Sequence, residues 1–149
     1  MEYIKESESE SKAKLVILCG VDRAGKDTFL NEIDRQTKYK HMTMDRGPIG
    51  FQAYCKIFNK DKNLLEQYKE MEKQLSSLYC VQVIYLDCET EELIRRCKAT
   101  NHEIIDFDYH KAIYEDCFNK SSFKNKIKVD TTHKHAKEIV AELIKKNIL

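Results

Sequence analysis

The chain has 149 residues, a length that suits one domain, because two would each approach the lower limit for a self-supporting core. Its 26 basic and 25 acidic residues leave a formal charge of +1, so the whole-protein field that drives avid polyanion binding is missing and long nucleic acid is not the expected main partner. A hydrophobic fraction of 42% with 34% charged residues fits a soluble globular chain, and the longest apolar runs, Leu15 to Cys19 and Val83 to Leu86, are too short to cross a bilayer.

Residues 1–13 alternate Glu and Ser without the basic start and apolar middle of a secretory signal, and read as a solvated tail ahead of a single domain over 14–149. Lys14 to Cys19 is a continuous apolar run ending at glycine, the pattern of a strand buried on both faces. Phe29, Leu30 and Ile33 then place one apolar face on a helix from Lys26 to about Thr37. Tyr39 to Met44 reads as a second strand, closed by a turn at Asp45-Arg46-Gly47-Pro48-Ile49-Gly50, where the only proline and two of the four glycines sit.

Phe51 to Phe58 suits a short helix, and Lys62 to about Tyr79 a longer amphipathic one. Val81 to Leu86 is β-branched and reads as a third strand. Glu89 to Ala99 follows as a helix, acidic in its first turn and basic in its last, as a helix dipole favours. Asp106 to about Ser121 reads as another helix, Lys126 to Val129 as a fourth strand, and Lys134 to Asn147 as a closing helix. Strands separated by helices imply an α/β fold, a parallel sheet of about four strands with helices on both faces.

Six cysteines, Cys19, Cys55, Cys80, Cys88, Cys97 and Cys117, lack any Cys-x-x-Cys pair, and several fall in apolar segments. They read as reduced and mostly buried, which favours the cytoplasm. The five histidines show no metal-ligand spacing; His133 and His135 flank one residue in an expected loop and read as solvated.

Gly20-Val-Asp-Arg-Ala-Gly25-Lys26 fits G-x-x-x-x-G-K between a buried strand and a helix. The glycines let the main chain curl so that N–H groups face the phosphates of ATP, and the helix N-terminus adds a favourable dipole. Lys26 is placed to reach the β- and γ-phosphates. Asp27 stands where such loops usually carry a Ser or Thr hydroxyl for Mg2+, and Thr28 follows it. Either Asp27 helps hold the metal, or Thr28 substitutes, or metal binding is weakened.

From Val16 through Lys26 the sequence resembles the opening of thymidylate kinases, in which Gly-Val-Asp-Arg-Ala-Gly-Lys is a familiar form, while Lys26-Asp27-Thr28 resembles phage-type deoxynucleoside monophosphate kinases. The resemblance implies a P-loop NTPase-type fold reduced from that of nucleoside monophosphate kinases, with ATP and Mg2+ as cofactors. It implies that Asp22 holds the acceptor 3′-hydroxyl and that Arg23 neutralises the transferring phosphate beside Gly20, Ala24 and Gly25. It further implies that Arg46 binds the acceptor phosphate with Asp45 near the metal. Phe51 and Tyr54 are candidates to stack on the acceptor base, or are core residues. Tyr85 to Arg96 resembles the family's later strand and helix, whose arginines approach adenine or a lid. Arg95 and Arg96 fit that role, or serve the helix dipole alone. Lys98 to Ile105 is the lid candidate, and Val129 to Thr132 could border the adenine. Here Thr37 runs almost directly into the Asp-Arg strand, whereas thymidylate kinases carry an extra strand and loop between them.

The expected activity is transfer of the ATP γ-phosphoryl group to a small-molecule acceptor, a deoxynucleoside monophosphate, with thymidine monophosphate first. Two alternatives stay open: a kinase of a nucleoside or polynucleotide 5′-hydroxyl, and a catalytically reduced P-loop protein that binds nucleotide for interaction. No membrane partner is expected, and the oligomeric state is open, a homodimer included.

Overall fold

A strand whose residues from Leu15 to Cys19 are all buried must be covered on both faces and paired on both edges, and that demand sets the architecture. The computed structural model describes residues 13–149. The tail read over 1–13 therefore lies outside the described residues except for Ala13, whose carbonyl accepts the Cys80 N–H at 3.0 Å.

The elements run β1 (Lys14–Cys19), α1 (Lys26–Thr37), β2 (Met42–Asp45), α2 (Gly47–Ile57), α3 (Lys62–Leu78), β3 (Cys80–Asp87), α4 (Thr90–Ala99), α5 (Phe107–Lys120), β4 (Asn125–Asp130) and α6 (Ala136–Lys145). The sheet has the order β2-β1-β3-β4, and all its pairs are parallel. Helices cover both faces: α1 packs with α6, and α2 packs with α3 and α5. The two central strands, β1 and β3, carry the buried aliphatic core, while β2 and β4 at the edges are polar and partly exposed. Among the described residues no helix is long and apolar enough to cross a membrane.

Two local expectations are corrected. The second strand begins at Met42 rather than Tyr39, because Lys38 and Tyr39 both take left-handed backbone (φ 53° and 59°) that ends α1 and cannot enter a ladder. Gly47-Pro48-Ile49-Gly50 is not a turn but the first turn of α2, with Pro48 where its missing N–H costs no hydrogen bond. The turn itself is compressed into Arg46 and Gly47. Gly47 has φ 63°, and a Cβ there would lie 2.4 Å from Ile17 Cγ2.

All six cysteines are free; five are buried and Cys80 is exposed. A buried carboxylate braces the helices on the α2 side. Glu72 on α3 accepts from Gln52 Nε2 at 3.2 Å, Ser121 Oγ at 2.6 Å and Ser122 Oγ at 2.8 Å. Several donors offset the cost of taking that carboxylate out of water.

His41, at the entry to β2, is buried, and its Nε2 has no partner among the described residues. Burial lowers its pKa from the ordinary 6.5, and the neighbouring Lys14 and Lys40 ammoniums lower it further. The unfolded chain therefore takes up the proton first. Stability held by the neutral ring is complete above the unfolded value and is lost as pH falls from about 6.5 through the folded value. Urea midpoints at pH 7.5 and 5.5 are expected to separate clearly for the parent, and His41→Phe should flatten that difference; an unchanged slope in the variant would show that another group carries it.

Candidate functional site

Because every strand is parallel, β1, β2, β3 and β4 all end at one edge of the sheet, and the loops that follow them converge there. A cleft of about 590 Å³ opens at that edge. Its floor is the Gly20–Lys26 loop between β1 and α1. Gly20 has φ 149°, and a Cβ there would lie 2.6 Å from the Leu86 carbonyl oxygen, so the loop can leave the strand only through a glycine. At the other end Gly25 caps α1 in left-handed backbone, φ 96°, with no side chain closing the helix N-terminus. The first-turn N–H groups of α1 thus remain free to meet an anion.

Lys26 folds back across the loop, its Nζ donating to the Gly20 carbonyl at 2.8 Å. Burial lowers its pKa below 10.5, while the nearby carboxylates of Asp22 and Asp45 pull it back up. The ammonium is therefore poorly solvated and flanked by anions, so a phosphate entering the cleft would give it a stronger partner than a neutral carbonyl.

The register Leu18↔Asp45 puts the end of β2 level with the end of β1. Arg46 follows, its N–H donating to the Leu18 carbonyl at 2.7 Å. Its backbone, φ 68° and ψ −64°, lies in a strained region for a residue with a side chain. That geometry turns the chain sharply into α2 while keeping both Asp45 and Arg46 on the cleft wall. Tyr114 of α5 is buried nearby. Burial pushes its hydroxyl up to about 12, with Arg46 pulling down and Asp22 and Asp45 pushing up, so the phenol stays protonated.

Most of the residues singled out from sequence meet here. Asp22, Arg23, Ala24, Gly25, Lys26, Asp27 and Thr28 line the cleft with Asp45, Arg46 and Arg96, and Gly20 fixes the loop behind them. Three residues do not join them. Phe51 stacks on Tyr68 of α3, ring centroids 5.0 Å apart, and belongs to helix packing. Arg95 points its guanidinium at Glu92 on an exposed flank, because successive helical residues face about 100° apart and only Arg96 can turn inward. Tyr54 is exposed outside the cleft wall, yet the Arg46 guanidinium carbon lies 5.8 Å from its ring centroid. His133 and His135 are both exposed, as expected of solvated side chains, and His135 also lines the cleft beside Thr131 and Lys134. Their position just past β4, at the carboxyl edge of the sheet, was the signal available in sequence. Of the lid candidate, Lys98 and Ala99 belong to α4, and Thr100 lines the cleft.

Among the described residues no three acidic, His or Cys side chains converge as a self-sufficient metal cage. Magnesium does not need one, since it takes one or two carboxylates and completes its octahedron with phosphate oxygens and water. Asp27, Thr28 and Asp45, all on the cleft wall, carry oxygen atoms of the kind magnesium takes.

No protein-family model and no curated protein sequence matches this chain. Its shape does match. Six solved chains resemble it, one being the YorR protein of Bacillus subtilis in complex with phosphorylated GDP, with a TM-score of 0.73 and 19% identity. The likeness covers 91% of this chain and 96% of YorR. The shared fold is an α/β architecture, here with a four-stranded parallel sheet and helices. At this identity the likeness is one of fold, and it does not single out thymidylate kinases.

If the Arg46 backbone is strained, glycine should relieve it where alanine cannot. Arg46→Gly is expected to be more stable than Arg46→Ala by about 1 to 2 kcal/mol in chemical denaturation. Equal stability of the two variants would remove the strain from the account.

Proposed function

We propose that this protein is a nucleotide kinase that transfers the γ-phosphoryl group of ATP to a (deoxy)nucleoside monophosphate, with dTMP or a related deoxynucleotide as the first acceptor to test. The observation that carries this reading is the sharing of one cleft by the Gly20–Lys26 loop and the Asp45-Arg46 pair. One half of that cleft suits a triphosphate donor, and the other offers a cation for an acceptor phosphate. The fold shared with a protein solved with phosphorylated GDP supports a nucleotide in this cleft and adds guanosine nucleotides to the compounds worth testing.

In the proposed reaction an anionic oxygen of the acceptor phosphate attacks the γ-phosphorus in line. The bond from that phosphorus to the β–γ bridging oxygen breaks, ADP leaves, and no proton need be removed. Lys26 and Arg23 offset charge on the transferring group, and Arg46 orients the acceptor phosphate. Asp22 accepts a hydrogen bond from the acceptor 3′-hydroxyl. Asp27, Thr28 and Asp45 would hold Mg2+, which when bound would offset charge on the phosphates.

A kinase acting on a nucleoside or polynucleotide 5′-hydroxyl is the second reading. It would need a general base, and the exposed Asp45 beside Arg46 is a carboxylate in a suitable place. A coupled assay across deoxy- and ribonucleoside monophosphates, nucleosides and a 5′-hydroxyl oligonucleotide separates the two readings. ATP binding without transfer to any of them would favour a nucleotide-binding interaction protein instead.

Lys26→Ala should depress turnover by orders of magnitude and leave the fold intact, and Lys26→Arg should fail as well, because the planar guanidinium cannot follow the ammonium through the loop. Parent-like initial rates in either variant would sink the P-loop assignment. For Asp22, acceptors lacking the 3′-hydroxyl should be used more poorly than their parents. The lost charge-assisted bond is worth about 1.5 to 3 kcal/mol, roughly ten- to a hundredfold. Asp22→Ala should erase most of that discrimination; if the variant keeps it in matched initial-rate assays, Asp22 does not read the sugar.

A further inference from the structure

The Gly20–Lys26 loop is tied down along the cleft wall by residues remote in sequence. Arg96 on α4 donates from Nη1 to the Arg23 carbonyl at 2.8 Å and from Nη2 to the Thr131 carbonyl at 2.6 Å. Glu92, one turn earlier, accepts from Arg96 Nε at 3.2 Å and holds the guanidinium in its plane. Thr131, buried just past β4, reaches the next loop carbonyl, with Oγ1 2.9 Å from Ala24 O. The same hydroxyl lies 3.1 Å from Asp87 O, but that oxygen already receives the Thr131 N–H at 2.7 Å. The single hydroxyl proton is better used on Ala24.

Two consecutive loop carbonyls are therefore engaged by remote side chains, and peptide geometry passes that constraint to the N–H groups that follow them. In a planar trans peptide the carbonyl and the following N–H point opposite ways. Holding the Arg23 carbonyl aims the Ala24 N–H at Val21 O, 3.2 Å away, which closes the turn. Holding the Ala24 carbonyl on Thr131 fixes the direction of the Gly25 N–H, which stands at the N-terminus of α1 where Gly25 lines the cleft. At Gly25 a Cβ would touch nothing within 4 Å, so no neighbouring atom confines that position sterically. Without an outside hold its flanking peptides would sample several orientations.

We propose that Thr131 and Arg96 form a clamp on two carbonyls of the loop that presets the Gly25 N–H for phosphate, and that both are positioning residues. The proposal rests on the reading of Gly20–Lys26 as a phosphate cradle. It gives the β4–α6 loop, which borders the cleft, a mechanical link to the phosphate site. Preset donors raise affinity because the entropy of orienting them is spent on folding rather than on binding.

The test is isothermal titration of the full chain with magnesium tripolyphosphate, which carries no base, and with magnesium ATP, on the parent, Thr131→Val and Thr131→Ser. Losing one neutral hydrogen bond should weaken both ligands about fivefold or more in the Val variant. The Ser variant should recover most of that loss. The Gly25 amide resonance should move in the Val variant and return in the Ser variant, a response that general destabilisation would not give. Parent-like binding by Thr131→Val, or a Ser variant as weak as the Val variant, overturns the clamp. If Thr131→Val does not fold, Arg96→Lys decides, because a single ammonium cannot span two carbonyls in the guanidinium geometry; parent-like binding by that variant overturns the clamp too. A parent that binds neither ligand overturns the clamp together with the cradle. A parent that binds both and shows the expected losses, yet transfers phosphate to no acceptor, overturns the kinase reading alone.

Discussion

Parallel pairing of β1 with β2 on one side and β3 on the other is the constraint on which everything else depends. A parallel strand must be re-entered from the same end, so each connection crosses a face of the sheet as a helix and each strand delivers its last residue to the same edge. The glycine loop, Asp45-Arg46, Asp87 and Thr131 are spread over more than 100 positions of sequence, yet all stand at strand ends along that edge. The chemistry of the cleft follows from topology before any side chain is chosen.

The side chains then make the edge attractive to a polyanion. Lys26, Arg23, Arg46 and Arg96 line the cleft together with the carboxylates of Asp22, Asp27 and Asp45. Having both signs of charge lets so many ionic groups share one concavity. Lys26 rests on the Gly20 carbonyl with its pKa lowered by burial. Charge-assisted bonds to phosphate are stronger than a bond to a neutral carbonyl, so the arrangement favours entry of the ligand over the resting contact.

Hydrogen bonds from remote side chains add to the apolar core in joining the elements. On the α2 side Glu72 gathers donors from α2 and from the end of α5. On the α4 side Arg96 and Thr131 do the same for the loop. These polar ties are satisfied at several points each, which is the condition under which buried polar groups fix one arrangement instead of merely costing energy.

The sequence by itself determined the order of strands and helices and the place of the glycine loop between β1 and α1. An unbroken apolar run ending at Gly20, and a helix starting at Lys26, leave the intervening loop few alternatives, because local pattern and glycine placement are properties of the chain over a dozen residues. Local pattern also misled where a nonlocal force prevailed: Pro48 and two glycines look like a turn, but packing of Gly47 on Ile17 and of Gly50 on Arg46 draws them into α2. Only the tertiary structure decided which of two adjacent arginines faces the cleft, that Phe51 belongs to Tyr68, and that Thr131 reaches Ala24 across 107 positions. Each of these depends on the rotation of a helix about its axis or on the distance between strand ends, quantities set by packing against partners that no short stretch of sequence contains.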